Sequence, residues 1–221
     1  MKANKRITLL CGHYGSGKTN VAVNLALRER KIHENVAIAD LDIVNPYFRS
    51  KDSSEDFQKA GIRLICSEYA NSNVDIPALP QDMYAITDDK SLRVLIDVGG
   101  DDRGALALGR LTPAILAEND YEMLMVINCY RPLTRDVEST IEVMREIEFA
   151  CKIPFTGLVN NSNLGQETTP EDVLSSLAYA EDVAKASGLP VVMTAFSEEL
   201  EPKLASKVPN PFPLTLQKKI I

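Results

Sequence analysis

Eight residues near the start of the chain, Gly12-His13-Tyr14-Gly15-Ser16-Gly17-Lys18-Thr19, constrain the fold more than any other stretch. They satisfy the spacing G-x-x-x-x-G-K-[ST]. They fall between an apolar run, Ile7–Cys11, and a helical pattern expected from Lys18 to about Arg30 with Val21, Ala22, Leu25 and Ala26 facing inward. Glycines let such a turn curl until successive backbone N–H groups point inward as an anion nest. The following helix adds its unpaired N–H groups and the positive end of its dipole. Lys18 then brings a charge to the β- and γ-phosphates of a nucleotide, and the Thr19 hydroxyl is a candidate Mg²⁺ ligand. A Gly-rich turn without a ligand is the bland alternative, and the flanking strand and helix patterns weigh against it.

The remaining pattern alternates short β-branched runs with longer helical stretches, which predicts βαβ units. Strands are expected at 36–40, Arg63–Cys66, 92–98, 123–128, 158–160 and 191–194. Thr134 is read as the cap of a helix with Val137, Ile141 and Met144 on one face, and Asp136 in its first turn. Thr169-Pro170-Glu171-Asp172 opens another helix, which Gly188 and Pro190 close. Together these imply an α/β fold with a doubly wound, mainly parallel sheet flanked by helices, in one domain over 1–221. Residues 67–90, with Pro77 and Pro80, are too irregular for an ordinary connection and read as a functional insertion or a surface segment. The tail VPNPFPLTLQKKII carries three prolines and then an apolar, basic end.

Two acidic clusters sit where strands are expected to end. The first is Asp40-Leu41-Asp42, followed by Asn45-Pro46. Its carboxylates, two apart on extended chain, point the same way, so one can hold Mg²⁺ through water while the other orients an attacking water. A capped, solvated turn is the alternative. The second follows the apolar run LRVLIDV as Asp97-Val98-Gly99-Gly100-Asp101-Asp102. It has the form of a Walker B element, with glycines that let the backbone approach and leave a γ-phosphate.

Composition narrows the partners. The 221 residues carry 24 Lys+Arg against 31 Asp+Glu, a formal net charge of −7, and no Trp. That balance disfavours phosphate-backbone binding and large base-stacking surfaces, so no nucleic-acid partner is expected. The cysteines at 11, 66, 129 and 151 form no C-x-x-C, which argues against a zinc or iron–sulfur site within one chain. The run ITLLC is too short for a signal peptide and no apolar run reaches transmembrane length, so a cytoplasmic protein is expected.

The phosphate loop near the N-terminus, then DLDIVNP, then LIDVGG, resembles the MinD/ParA/Mrp-like P-loop ATPases over about residues 7–196. The wider group includes nitrogenase iron protein, nickel-insertion ATPases and CobQ/CobB-type enzymes. The resemblance implies ATP and Mg²⁺, with the nucleotide held by Gly12, Gly15, Ser16, Gly17, Lys18, Thr19 and Asn20. It matches Lys18 and Thr19 to the loop lysine and metal ligand, and Asp42 to the switch aspartate that positions water and helps hold the metal. Asp97 and Gly100 take the Walker B and switch II positions, and Asn160, in Val159-Asn160-Asn161, is the favoured reader of adenine.

Two departures follow. Members of that family with a deviant loop carry an early lysine that reaches a partner's nucleotide. Here His13 stands in its place and Tyr14 in that of a glycine, so a homodimer around nucleotide stays open. The family's paired-cysteine motif is also missing, and Cys129 is by position the best candidate for metal held across a dimer. LTLQKKII is too short for stable membrane association. A switch ATPase that acts on or regulates a protein partner is the leading expectation. A dethiobiotin-synthetase-like ligase or phosphotransferase, with 67–90 as its pocket, and a metal- or cluster-delivery ATPase are the alternatives. GTP also stays open, since no N-K-x-D base motif occurs.

Overall fold

The computed structural model describes residues 5–41, 57–66, 81–99 and 108–216. Their strands are β1 (Ile7–Cys11), β2 (Val36–Leu41), β3 (Arg63–Cys66), β4 (Arg93–Val98), β5 (Tyr121–Ile127), β6 (Gly157–Asn160), β7 (Val191–Ser197) and β8 (Pro211–Leu214). Four helices of seven residues or more accompany them: α1 (Lys18–Arg30), α2 (Thr112–Glu118), α3 (Val137–Cys151) and α4 (Pro170–Ser187). The strands form one sheet in the order β3-β2-β4-β1-β5-β6-β7-β8, with every neighbouring pair parallel.

The strands are apolar throughout because both faces of the sheet are covered. Leu9, Ala39, Ile96 and Met125 point to one face, where Ile115, Met144 and Val183 from α2, α3 and α4 pack on them. Leu10, Ile38, Leu95 and Val126 point to the other, against Val21, Ala22, Leu25 and Ala26 of α1. The inward stripe read from the sequence is therefore the one that α1 buries. Cys11 and Cys151 meet on the first face, thiol to thiol by a hydrogen bond, and burial pushes the Cys11 thiol well above its usual range.

Strand order fixes where a ligand can sit. The chain leaves β1 for β2, β3 and β4 on one side, then crosses to β5 and continues outward on the other. The carboxyl end of β1 is thus the topological switch point, the crevice where open α/β sheets take ligands, and the Gly-rich loop follows it directly.

Several boundaries differ from the sequence reading. Helix α3 is capped by Asp136, whose carboxylate accepts the Ser139 N–H, and not by Thr134, which sits in a preceding 3₁₀ turn and donates its hydroxyl to Asn128 O. Helix α4 starts with a reciprocal Thr169/Asp172 capping box and ends at left-handed Gly188, as its sequence signals require. Helix α2 and strand β8 were not anticipated. In β8, prolines 211 and 213 alternate with buried Phe212 and Leu214 on the outer flank of β7, an edge position that tolerates their missing N–H groups. Within 67–90, residues Gln81–Tyr84 form a 3₁₀ turn and Ala85–Asp88 a helical turn, while 67–80 lie outside the described residues.

An ion pair at the amino ends of the central strands closes the base of the fold. Arg6 donates to the carbonyls of Ile86, Asp89 and Leu92 and engages both carboxylate oxygens of Glu118, to which Lys90 also donates at 2.6 Å. The Arg6 guanidinium is the main cause that holds the Glu118 carboxyl down at about 2. A lowered folded-state pKa contributes stability above the unfolded value near 4.5 and loses it as pH falls toward 2. Glu118→Gln is therefore expected to cost roughly 2–3 kcal/mol at pH 7, toward the low side for breaking a buried pair. Urea denaturation should show that deficit shrinking as the pH is lowered from 5 toward 2; a deficit independent of pH would contradict the assignment.

Candidate functional site

The loop between β1 and α1 is built by three glycines with positive φ: Gly12 at 151°, Gly15 at 77° and Gly17 at 87°. At two of them the space is also closed. A Cβ on Gly12 would lie 2.5 Å from the Val126 carbonyl oxygen of β5, and one on Gly17 would collide with the Asn161 amide. The curl is closed by a Ser16 N–H to His13 O bond of 3.1 Å, and Lys18 Nζ donates to the same carbonyl at 3.4 Å. Lys18 is buried at 6% exposure, so its ammonium lies within the loop and not in solvent.

Helix α1 begins directly after this curl, with left-handed Gly17 as its N-cap. It has no side-chain cap and no acidic residue in its first turn. The two longest helices, α3 and α4, both carry carboxylates at this position. A bare, positive helix end beneath a glycine nest suits an anion. Ser16, wholly buried, keeps its hydroxyl without a hydrogen-bond partner among the described residues, a second polar group turned toward the loop and unspent. Asn20 follows in the first turn of α1, and its carbonyl accepts the Asn24 amide.

Residues far apart in sequence meet at the rim. Thr19 Oγ1 donates to Asp97 Oδ2 at 2.7 Å across 78 positions. Asp97 is 1% exposed near the end of β4. Its register partner on β2 is Asp40, also buried, so two carboxylates stand side by side on the α1 face of the sheet. Asp42 and Gly100, the switch residues named from the sequence, lie outside the described residues, as do Asp101 and Asp102. The oxygen donors that are described, one hydroxyl and the carboxylates, are hard ligands of the kind Mg²⁺ takes, and they fit that ion. Among the described residues no group of three or more His, Cys, Asp or Glu side chains is arranged to hold a metal. Cys129 donates its backbone N–H to Ser162 Oγ and is half-buried.

The two asparagines after β6 take different parts. Asn160 is 1% exposed; its amide donates to Ser176 Oγ of α4 at 2.9 Å and accepts the Ser162 N–H. Presenting it to a base requires those bonds to be exchanged. Asn161 instead reaches back to the loop and donates to Ser16 O at 2.7 Å across 145 residues. Its role as a brace was not read from the sequence, although it stands beside Asn160 in the same strand-end pair. Arg131, also missed, follows β5 and donates from Nε to Gly15 O at 2.9 Å. Only the step from apolar strand to Asn128-Cys129-Tyr130-Arg131 at a carboxyl edge could have flagged it.

Gly17→Ala should destabilise the protein by roughly 1–3 kcal/mol, because a left-handed backbone must then carry a Cβ that meets the Asn161 amide. Asn161→Ala should cost about 1–3 kcal/mol by leaving the Ser16 carbonyl unpaired. Both act at one contact, so chemical denaturation of the double variant should show less than the sum. Strict additivity would mean that the two residues do not meet.

No protein-family model and no curated protein matches the sequence. Solved structures do match in shape. Chloroplast FtsY from Physcomitrella patens is 18% identical with a TM-score of 0.58, over 88% of this chain and 59% of its own. The cell division protein FtsY from Thermotoga maritima is 18% identical with a TM-score of 0.60, over 87% and 62%. The signal recognition particle receptor FtsY from Elizabethkingia anophelis, in complex with GDP, is 15% identical with a TM-score of 0.52, over 90% and 58%. The chain thus spans about three-fifths of the length of these structures. At such identities the likeness is one of fold: a parallel α/β sheet flanked by helices, here with a Gly-rich loop at its switch point.

Proposed function

We propose that the chain is a Mg²⁺-dependent, ATP-binding and ATP-hydrolysing switch of the MinD/ParA-like class, a cytoplasmic protein that acts on or regulates a protein partner. The observation that carries this reading is the Thr19–Asp97 hydrogen bond at the bare end of α1. It joins the residue after the loop lysine to the acidic end of a central strand, the pair of oxygens that share a nucleotide-bound cation in this fold class. When bound, Mg²⁺ would neutralise charge on the β- and γ-phosphates. Thr19 and Asp97 would hold it, Lys18 would bind the phosphate oxygens, and the loop N–H groups would fix the chain of phosphates for in-line attack. Asp42, by its place in DLDIVNP, would orient the attacking water. Water adds to the γ-phosphorus, the bond to the β-bridging oxygen breaks, and nucleoside diphosphate, inorganic phosphate and a proton leave. The loss of γ-phosphate then releases the segments that begin at Asp42 and Gly100, which is how such a cycle is read by a partner.

Guanine competes with adenine as the base. The GDP complex of a structure with the same fold favours it, and the internal bonds of Asn160 do not favour adenine. Among the described residues no helix is long and apolar enough to cross a membrane.

Isothermal titration with ATP and GTP, each with Mg²⁺, tests the reading. Wild-type protein should bind ATP more tightly than GTP, and Lys18→Ala should abolish binding of both. Preference for GTP would reassign the base and keep the switch. No binding of either would end the nucleotide reading.

A further inference from the structure

The resemblance raises a charge problem that the structure answers in its own way. Where deviant-loop relatives carry a second fixed cation this chain has His13, whose ring nitrogen contacts the Tyr14 carbonyl. Among the described residues of the loop itself, Lys18 is the one fixed cation. Arg131 lies against the loop at Gly15: a Cβ built on that glycine would come within 3.6 Å of its Nε and 3.9 Å of its Cζ.

Two observations separate this arginine from a structural one. Arg6 shows what a structural arginine does here: its guanidinium nitrogens meet three carbonyls and a carboxylate. Arg131 is anchored through Nε alone. Its two terminal nitrogens carry four N–H donors, and these have no partner among the described residues. The second observation is the rigidity of the segment that bears it. Asn128, wholly buried, accepts through Oδ1 from the Tyr130 and Asn163 N–H groups and donates to Asn163 O. Its carbonyl accepts from the Arg131 N–H and the Thr134 hydroxyl, and the Thr134 N–H closes on Arg131 O. Cys129 N–H is fixed to Ser162 Oγ after β6. This network fixes the backbone that bears Arg131, and the Nε bond to Gly15 O sets its guanidinium at the loop, the preorganisation that recognition of charged oxygens requires.

We propose that Arg131 supplies, from the same chain, the second fixed charge of the site, its terminal nitrogens donating to the terminal phosphate of a bound nucleoside triphosphate. The assignment rests on the nucleotide reading above. A guanidinium offers paired donors to phosphate oxygens that the loop amides leave exposed, and it makes the site discriminate triphosphate from diphosphate.

The test is titration of the full chain with a non-hydrolysable triphosphate analogue and with the matching diphosphate, both with Mg²⁺. Arg131→Ala should weaken the analogue roughly 10- to 100-fold, as expected for loss of charge-assisted hydrogen bonds, and leave the diphosphate within about twofold. Arg131→Lys keeps charge but not the fork and should fall between. Equal weakening of both nucleotides would overturn the assignment and make Arg131 a brace for Gly15, and so would no weakening of either. Recovery of hydrolysis on mixing Arg131→Ala with Lys18→Ala protein would overturn the same-chain part, since it requires one copy's arginine to serve another's nucleotide. A wild-type chain that binds neither nucleotide defeats the nucleotide reading and takes this assignment with it. A wild type that binds both, with Arg131→Ala unchanged, defeats the assignment alone.

Discussion

The uncapped positive end of α1 is the constraint around which the rest of the structure is arranged. A helix N-terminus buried at the centre of a sheet, with neither side-chain cap nor carboxylate, is costly unless something else meets its N–H groups. Among the described residues no side chain caps it. The three glycines turn the chain away without placing a side chain over it, Asn161 holds the turn from behind through Ser16 O, and Lys18 adds charge of the same sign. The carboxylates stay to one side, where Thr19 meets Asp97. Positive groups thus gather at the loop and negative ones at the ends of β2 and β4. A polyanion with a bound divalent cation complements both at once.

Much of the fold was legible because its signals are local. Continuous apolar runs flanked by punctuation gave β1 and β3 their bounds, and the others shifted by one to three residues. Such runs arise because every central strand is covered on two faces, so no alternation of polar residues blurs them. The Thr169/Asp172 box and Gly188 define α4 with equal clarity. What failed was non-local. Strand β8 holds two prolines and reads as a loop until β7 is known to lie beside it. Thr134 looks as good a cap as Asp136 until its hydroxyl is seen to serve Asn128 O instead.

The site was legible in the same uneven way. The loop announces itself because its chemistry needs contiguous residues in fixed spacing. Asp97 could be named because an acid at the end of a buried apolar run has the form of a Walker B element. Asn161 and Arg131 could not, since their part depends on β5 and then β6 lying on the same side of β1, which the sheet order decides. Asn160 and Asn161 are adjacent and chemically identical, and only the alternation of side chains at a strand end sends one to α4 and the other to the loop.

Strand β8 carries a consequence of its own. An open parallel sheet has two flanks, each a row of backbone groups ready to recruit another strand. On the β8 flank, Pro211 and Pro213 fall at alternate positions of a four-residue strand. Their missing donors lie together on one side, and a further strand docking there would find acceptors without the N–H groups to answer its own. Among the described residues, growth on that flank is opposed by the chemistry of the edge strand itself. A longer pairing is of no use to such a strand either, since two of the four positions of β8 offer it no donor.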